Sequence, residues 1–109
     1  GFSQGGVIAL TAALRSPQKL AGVAAMSTYL ALRDDYPEAL SAHAKSLPVF
    51  LAHGTADMVL KYEYGQMTAA RLEELGFEDV DFQTYHGMAH SACQEELRHL
   101  ASFVVKNLS

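Results

Sequence analysis

An α/β fold built on a parallel sheet is predicted for this chain by three observations. Segments of helical and strand character alternate along it, in the order helix, strand, loop, strand, helix, strand, helix. Such alternation calls for crossovers that pack helices on the faces of parallel strands. Two short runs, residues 20–26 and 49–52, are apolar without alternation, the pattern of strands buried on both faces. The chain also opens on Gly1-Phe2-Ser3-Gln4-Gly5, a Gly-x-Ser-x-Gly sequence of the kind that turns a strand directly into a helix. Three strands make a thin sheet, and strands buried on both faces need neighbours on both sides. The expectation is therefore one incomplete domain over residues 1–109. It would be the C-terminal portion of a larger α/β domain, with the central strands lying upstream.

Each element has a local reason. Residues 4–15 place Val7, Leu10, Ala13 and Leu14 at helical spacing, and Pro17 ends the run. Residues 20–26 form the first strand, and Ser27-Thr28-Tyr29-Leu30 leads out of it. Residues 33–37, Arg-Asp-Asp-Tyr-Pro, read as a solvated loop, and residues 38–46 as a short helix. Pro48 opens the second strand, which runs into the turn-forming His53-Gly54-Thr55-Ala56-Asp57. Residues 62–75 form a helix whose apolar members are Tyr62, Met67, Ala70, Leu72 and Leu75, with Gly76 as its C′ glycine. Residues 80–85 alternate and predict a third strand nearer an edge. After the loop 86–90, Ser91 and Gln94 have the spacing of a capping box. The closing helix then carries Leu97, Leu100, Phe103 and Val104 on one face.

Composition narrows the function classes. Half of the 109 residues are hydrophobic, enough for an ordinary core, and the formal net charge is −4. A nucleic-acid binder would carry a clustered basic face, and here the basic residues are scattered. No run approaches the ~20 apolar residues of a membrane helix. The single cysteine, Cys93, has no intramolecular disulfide partner, which fits a reducing compartment.

The chemistry-bearing residues fall at strand ends. A serine hydroxyl becomes a nucleophile when a base takes its proton, and that base is usually a histidine held by a carboxylate. In open α/β sheets such groups gather at the carboxyl ends of strands. Ser3 sits in the opening turn, Asp57 follows the second strand and His90 follows the third, giving the order Ser…Asp…His. Rivals exist for each role. Ser3 could be a plain N-cap. Asp34, Asp35, Asp79 and Asp81 compete with Asp57, and His43, His53, His86 and His99 with His90. His86 lies in the same loop as His90. The latter is favoured because the expected cap fixes its backbone and Gly87 lets the loop fold back towards the serine. His53, next to Gly54, reads as a structural hydrogen-bonder. His53, His86, His90 and Cys93 invite a zinc reading, but there is no second cysteine and the thiol belongs to the closing helix, so no metal is expected.

Four motifs resemble those of the acyl-protein thioesterases, a family of cytosolic serine hydrolases also described as lysophospholipases and small carboxylesterases. They are Gly1-Phe2-Ser3-Gln4-Gly5-Gly6, Lys19-Leu20-Ala21-Gly22-Val23, His53-Gly54-x-x-Asp57 and Tyr85-x-Gly87-Met88-x-His90-Ser91. The resemblance runs over essentially the whole chain. It implies the C-terminal half of an α/β-hydrolase fold and a cytoplasmic enzyme without cofactors. It also implies hydrolysis of palmitoyl-protein thioesters, short acyl esters or lysophospholipids. Ser3 would be the nucleophile, Asp57 the orienting acid, His90 the base and Gln4 the source of one backbone N–H of the oxyanion hole. The family's second oxyanion donor lies in a glycine-containing loop well upstream. Tyr29 stands where many relatives carry Trp beside the acyl pocket, and Tyr29, Leu30, Met58, Val59 and Leu60 are the expected acyl-contacting residues, with ordinary core packing as the competing reading. A second function class stays open: a truncated, inactive chain that associates through its exposed sheet edge, including weak pairing of two copies.

Overall fold

The computed structural model describes residues 1–31, 35–36 and 38–108. Its elements follow the expected order: helix α1 (Gln4–Arg15), strand β1 (Val23–Met26), strand β2 (Val49–Gly54), helix α2 (Tyr62–Glu74), strand β3 (Val80–Tyr85) and helix α3 (Gln94–Leu108). The strands pair in parallel in the order β1-β2-β3, with Val23, Val49 and Val80 in one register. All three carboxyl ends therefore open on the same side of the molecule.

The middle strand is apolar from Val49 to Ala52 because both of its faces are covered. Every residue of β2 is buried. Val49 and Leu51 join α1 and α2 in one core through Leu10, Leu14, Ala69 and Leu72, while Phe50 and Ala52 face α3 through Leu100 and Phe103. Phe50 has no exposed surface. Removing its side chain would cost about 3–5 kcal/mol. The alternation of β3 matches its place at the sheet edge.

Several expected faces turn out otherwise. β1 begins at Val23 rather than residue 20, and only Val23 and Ala25 are buried. Ala24 and Met26 lie on the face of α3, which packs over β2 and covers β1 incompletely. The segment 38–46, expected as a short helix, forms only the 3-10 turn Ala44–Ser46. Of the loop at 33–37, residues 33, 34 and 37 lie outside the described residues. In α1 the buried members are Gly6, Leu10, Ala13 and Leu14, with Val7 only half-buried. In α2 the inward face is Gly65, Thr68, Ala69 and Leu72, leaving Met67 and Ala70 outside. Small side chains let this helix lie close to the sheet, so its inner face is not its most hydrophobic one. Gly76 ends α2 as expected: at φ +91° it sits in a Schellman arrangement, with Gly76 N–H on Glu73 O (3.0 Å) and Phe77 N–H on Leu72 O (3.1 Å).

The start of α3 departs most from expectation. The helix begins at Gln94, so Ser91 is not its cap. Cys93 occupies that position: its carbonyl accepts Leu97 N–H at 3.0 Å and its Sγ accepts Glu96 N–H at 3.4 Å. Cys93 thus plays the part of the serine in a capping box, with Glu96 three residues on, where the box places a glutamate. Of the four residues expected on the inner face, Leu97 and Val104 are exposed, while Leu100 and Phe103 pack inward. Glu96 is the one fully buried residue of α3, and neither carboxyl oxygen reaches a hydrogen-bond partner among the described residues. Burial raises the Glu96 carboxyl above its ordinary 4.5.

This burial has a measurable consequence. A carboxyl whose folded-state pKa is raised favours the fold while protonated. As pH rises from about 4.5, the unfolded chain ionises first and stability falls until the folded-state value is passed. Glu96→Gln keeps the side chain's shape and removes the ionisation. Urea denaturation is expected to find the variant more stable than the natural protein at pH 8 and equal to it at pH 4; a gap independent of pH would contradict this account.

Candidate active site

The opening turn is held by β1. Met26 N–H donates to Gly1 O and Ser3 N–H to Met26 O, both at 2.9 Å, so Phe2 bridges Met26 as a parallel neighbour. Ser3 then takes φ 54° and ψ −120°, a sparsely populated conformation for a residue with a side chain, and α1 starts at Gln4. The turn is kept in place by three donors to Ser3 O: Gly6 N–H (3.0 Å), Val7 N–H (3.2 Å) and the Thr28 hydroxyl (2.7 Å). Ser27, itself at φ 53° and buried, turns the chain out of β1 just before Thr28. As the first helical residue, Gln4 has an N–H that no carbonyl of its own helix can reach.

Asp57 lies in the loop that continues from β2 and is buried. Its Oδ1 accepts the backbone N–H groups of Val59 (3.0 Å) and Leu60 (2.7 Å), and its Oδ2 accepts from His90 Nδ1 at 2.8 Å. Burial works against ionisation, yet the donors from Leu60, His90 and Val59 outweigh it and hold the carboxyl below its ordinary value.

His90 is delivered by the loop after β3. Gly87 at φ +79° turns that loop, the Gly87 N–H donates to Thr55 Oγ1 at 2.8 Å, and Ala56 N–H donates to Met88 O at 3.1 Å. These bonds tie the histidine loop to the aspartate loop. Gly54 makes the approach feasible, because a Cβ there would collide with Met88 O. The His90 ring lies 5.0 Å from that of Phe2, and its Nε2 is 3.0 Å from Ser3 Oγ. An ionised carboxylate only accepts, so Nδ1 carries the hydrogen and Nε2 is free to accept from the serine hydroxyl. Ser3, His90 and Asp57 thus form one continuous hydrogen-bonded chain drawn from three strand ends.

The rivals are elsewhere. His86 is exposed, His43 precedes the 3-10 turn, and His99 Nδ1 meets the Tyr85 hydroxyl at 2.8 Å. His53 is buried behind Asp57. Asp35 pairs with Arg15 at 3.1 Å, Asp81 accepts from Gln83, and Asp34 lies outside the described residues. Of the expected acyl-contacting residues, Met58 and Val59 are 92% and 74% exposed at the loop tip beside Asp57. Tyr29 is partly exposed, its ring 6.2 Å from that of Tyr64, whereas Leu30 is buried in the core and Leu60 is half-buried. The hydroxyls of Thr28 and Thr68 escaped the sequence reading; Thr68 Oγ1 accepts Leu30 N–H at 2.9 Å and so anchors the segment that bears Tyr29. Among the described residues no group of His, Cys, Asp and Glu is arranged to hold a metal ion, and no helix is long and apolar enough to cross a membrane.

The model of the phospholipase/carboxylesterase family matches residues 1–108. Acyl-protein thioesterase 1 of Mycosarcoma maydis is 51% identical over 109 residues, covering 97% of this chain and 45% of the relative. The crystal structure of Arabidopsis thaliana SOBER1 superposes with a TM-score of 0.93 at 31% identity, over 100% of this chain and 51% of that one. Zea mays acyl-protein thioesterase 2 does so with a TM-score of 0.93 at 27% identity, over 100% and 55%. The fold is that of the α/β-hydrolases, and the chain spans about half the length of the curated relatives it matches.

The depressed Asp57 carboxyl predicts a second pH dependence, opposite in sign to that of Glu96. Its ionised form is better held in the fold than in the unfolded chain, so its contribution is present above the ordinary value of 3.8 and is lost as pH falls. Asp57→Asn keeps an acceptor for Val59 and Leu60. Denaturant titrations should find the variant less stable than the natural protein at pH 7, with the difference closing below about pH 4; a difference that persists in acid would contradict the assignment.

Proposed function

The chain belongs to the phospholipase/carboxylesterase family, and from that premise we propose that it carries the triad of a serine hydrolase acting on acyl thioesters or esters. The observation behind this reading is the Asp57–His90–Ser3 hydrogen-bonded chain, at 2.8 and 3.0 Å. Ser3 Oγ attacks the acyl carbonyl as its proton passes to His90 Nε2. Asp57, deprotonated and acceptor-only, stabilises the imidazolium and holds the ring in the productive tautomer. The N–H of Gln4 donates to the oxyanion; a single such donor is commonly worth about 10²–10³ in rate. His90 then protonates the departing thiol or alcohol, and water repeats the sequence to free Ser3.

The substrate class in this reading is an acylated protein, a small acyl ester or a lysophospholipid, in a cytoplasmic setting. Relatives named acyl-protein thioesterase support the first of these. Tyr29, Met58, Val59 and Leu60 contact the acyl chain, with Leu30 as the packed layer behind Tyr29. The exposure of Met58 and Val59 at the loop tip after Asp57, and the partial exposure of Tyr29, support this role.

A fluorophosphonate probe tests the triad. Labelling at Ser3 is expected, with complete loss in Ser3→Ala and in His90→Ala and retention in His86→Ala. Asp57→Asn should slow turnover by about 10⁴-fold, as amidation of the orienting carboxylate does in serine proteases. Loss in His86→Ala with retention in His90→Ala would reverse the base assignment. One observation favours a second reading, in which these 109 residues by themselves are inactive: the chain spans about half of its relatives' length. Labelling of the 109-residue chain itself would exclude that reading. Comparing thioester with oxyester turnover across acyl lengths decides the substrate class.

A further inference from the structure

His53 lies outside the Ser3–His90–Asp57 chain, yet its surroundings are arranged around a single hydrogen. The ring is only 1% exposed, in β2, directly behind the aspartate loop. Nε2 lies 2.8 Å from Leu60 O and 3.4 Å from Asp57 Oδ2. Both are acceptors, so Nε2 carries the hydrogen, with its main bond to Leu60 O. Nδ1 has no partner among the described residues. It faces the backbone of α2 at Gly65, where any Cβ would come within 2.7 Å of it. The edge of the Tyr62 ring closes the pocket, with ring centroids 6.0 Å apart. A buried ring with an acceptor at each possible partner of Nε2 and none at Nδ1 is confined to one tautomer.

We propose that His53 is a positioning residue for the triad acid. Through Leu60 it clamps the 57–60 turn, so that the N–H groups of Leu60 and Val59 stay on Asp57 Oδ1 and Oδ2 stays aimed at His90. The relay is short: His53 Nε2–H donates to Leu60 O, Leu60 N–H donates to Asp57 Oδ1, and Asp57 Oδ2 accepts from His90 Nδ1–H. Gly65 belongs to the same device, since its missing side chain leaves room for the ring. The titratable groups bordering Asp57 in this arrangement are His53, His90 and, at the far side of His53, Tyr62. The importance of this clamp for catalysis rests on the serine-hydrolase reading above, but the clamp itself is visible without catalysis.

The test is a titration of the His90 imidazole by nitrogen-15 NMR in the natural protein and in His53→Leu, His53→Gln and Gly65→Ala. Loss of the clamp frees the 57–60 turn and takes Asp57 Oδ2 off its aim at His90 Nδ1–H, so that the carboxylate stabilises the imidazolium less. His53→Leu and Gly65→Ala should therefore move the His90 midpoint to lower pH. His53→Gln, which offers an N–H at a similar reach, should restore it. If His53→Leu does not fold, Gly65→Ala carries the same comparison. A midpoint that stays or rises in the folded variants, or one that His53→Gln fails to restore, overturns the proposal. Fluorophosphonate labelling in parallel should slow by up to about 100-fold in the clamp-deficient variants, the size of effect expected when a reacting group is misplaced by around 1 Å. If the natural protein does not label at all, the hydrolase reading fails while the NMR comparison still decides the clamp.

Discussion

The burial of β2 on both faces is the constraint on which the rest of this structure depends. Because every residue of the strand is covered, α1 and α2 must pack on one side and α3 on the other. Parallel pairing with β1 and β3 then brings three carboxyl ends to one edge. The serine turn docks on the end of β1, the aspartate loop continues from β2, and the histidine loop returns from β3 to bond it. A one-residue slip in either pairing would turn the strand side chains to the opposite face and displace the loops that carry the site. The hydrogen-bonded geometry at the surface thus rests on apolar packing beneath it.

Polar groups in this chain follow two opposite regimes. Asp57 is buried but surrounded by donors, and it remains below the ordinary carboxylate value. Glu96 is buried with both oxygens unpartnered, and its carboxyl is raised. The donors aimed at Asp57 outweigh its desolvation, whereas the Glu96 oxygens have no hydrogen-bonded donor among the described residues to offset theirs. Backbone strain is concentrated near the serine turn: Ser3 and Ser27, the two non-glycine residues at positive φ among the described residues, lie on either side of the β1 pairing that fixes it. Three hydrogen bonds to Ser3 O keep that turn from relaxing.

Much of this was legible in advance. The unalternating run at 49–52, the alternating run at 80–85 and the glycine after α2 each correspond to an observed element, because each depends on neighbours close in sequence. The inner faces of helices were less legible. Hydrophobicity singled out Met67 and Ala70 in α2, whereas the sheet accepts Gly65, Thr68 and Ala69, because closeness of approach rather than apolar bulk decides there. In α3 the cap moved from Ser91 to Cys93, and a glutamate went inside while Leu97 stayed out. A Cys-x-x-Glu spacing was available as a signal, but a thiol is an uncommon cap and a buried carboxylate runs against composition rules.

By itself, the sequence determined the element order, the parallel class of the sheet and the placement of the candidates Ser3, Asp57 and His90 in turns at strand ends, since these follow from hydrophobic period, turn chemistry and chain order. Only the tertiary structure decided between His90 and His86 as the neighbour of Ser3, and showed which atoms of Asp57 face which donors. It alone disclosed His53 behind the acid and Thr28 on the serine carbonyl. Those relations join residues distant along the chain, 87 positions apart for His90 and Ser3. No local pattern encodes them, because they exist only once three strands have paired in register and their loops have been brought into contact.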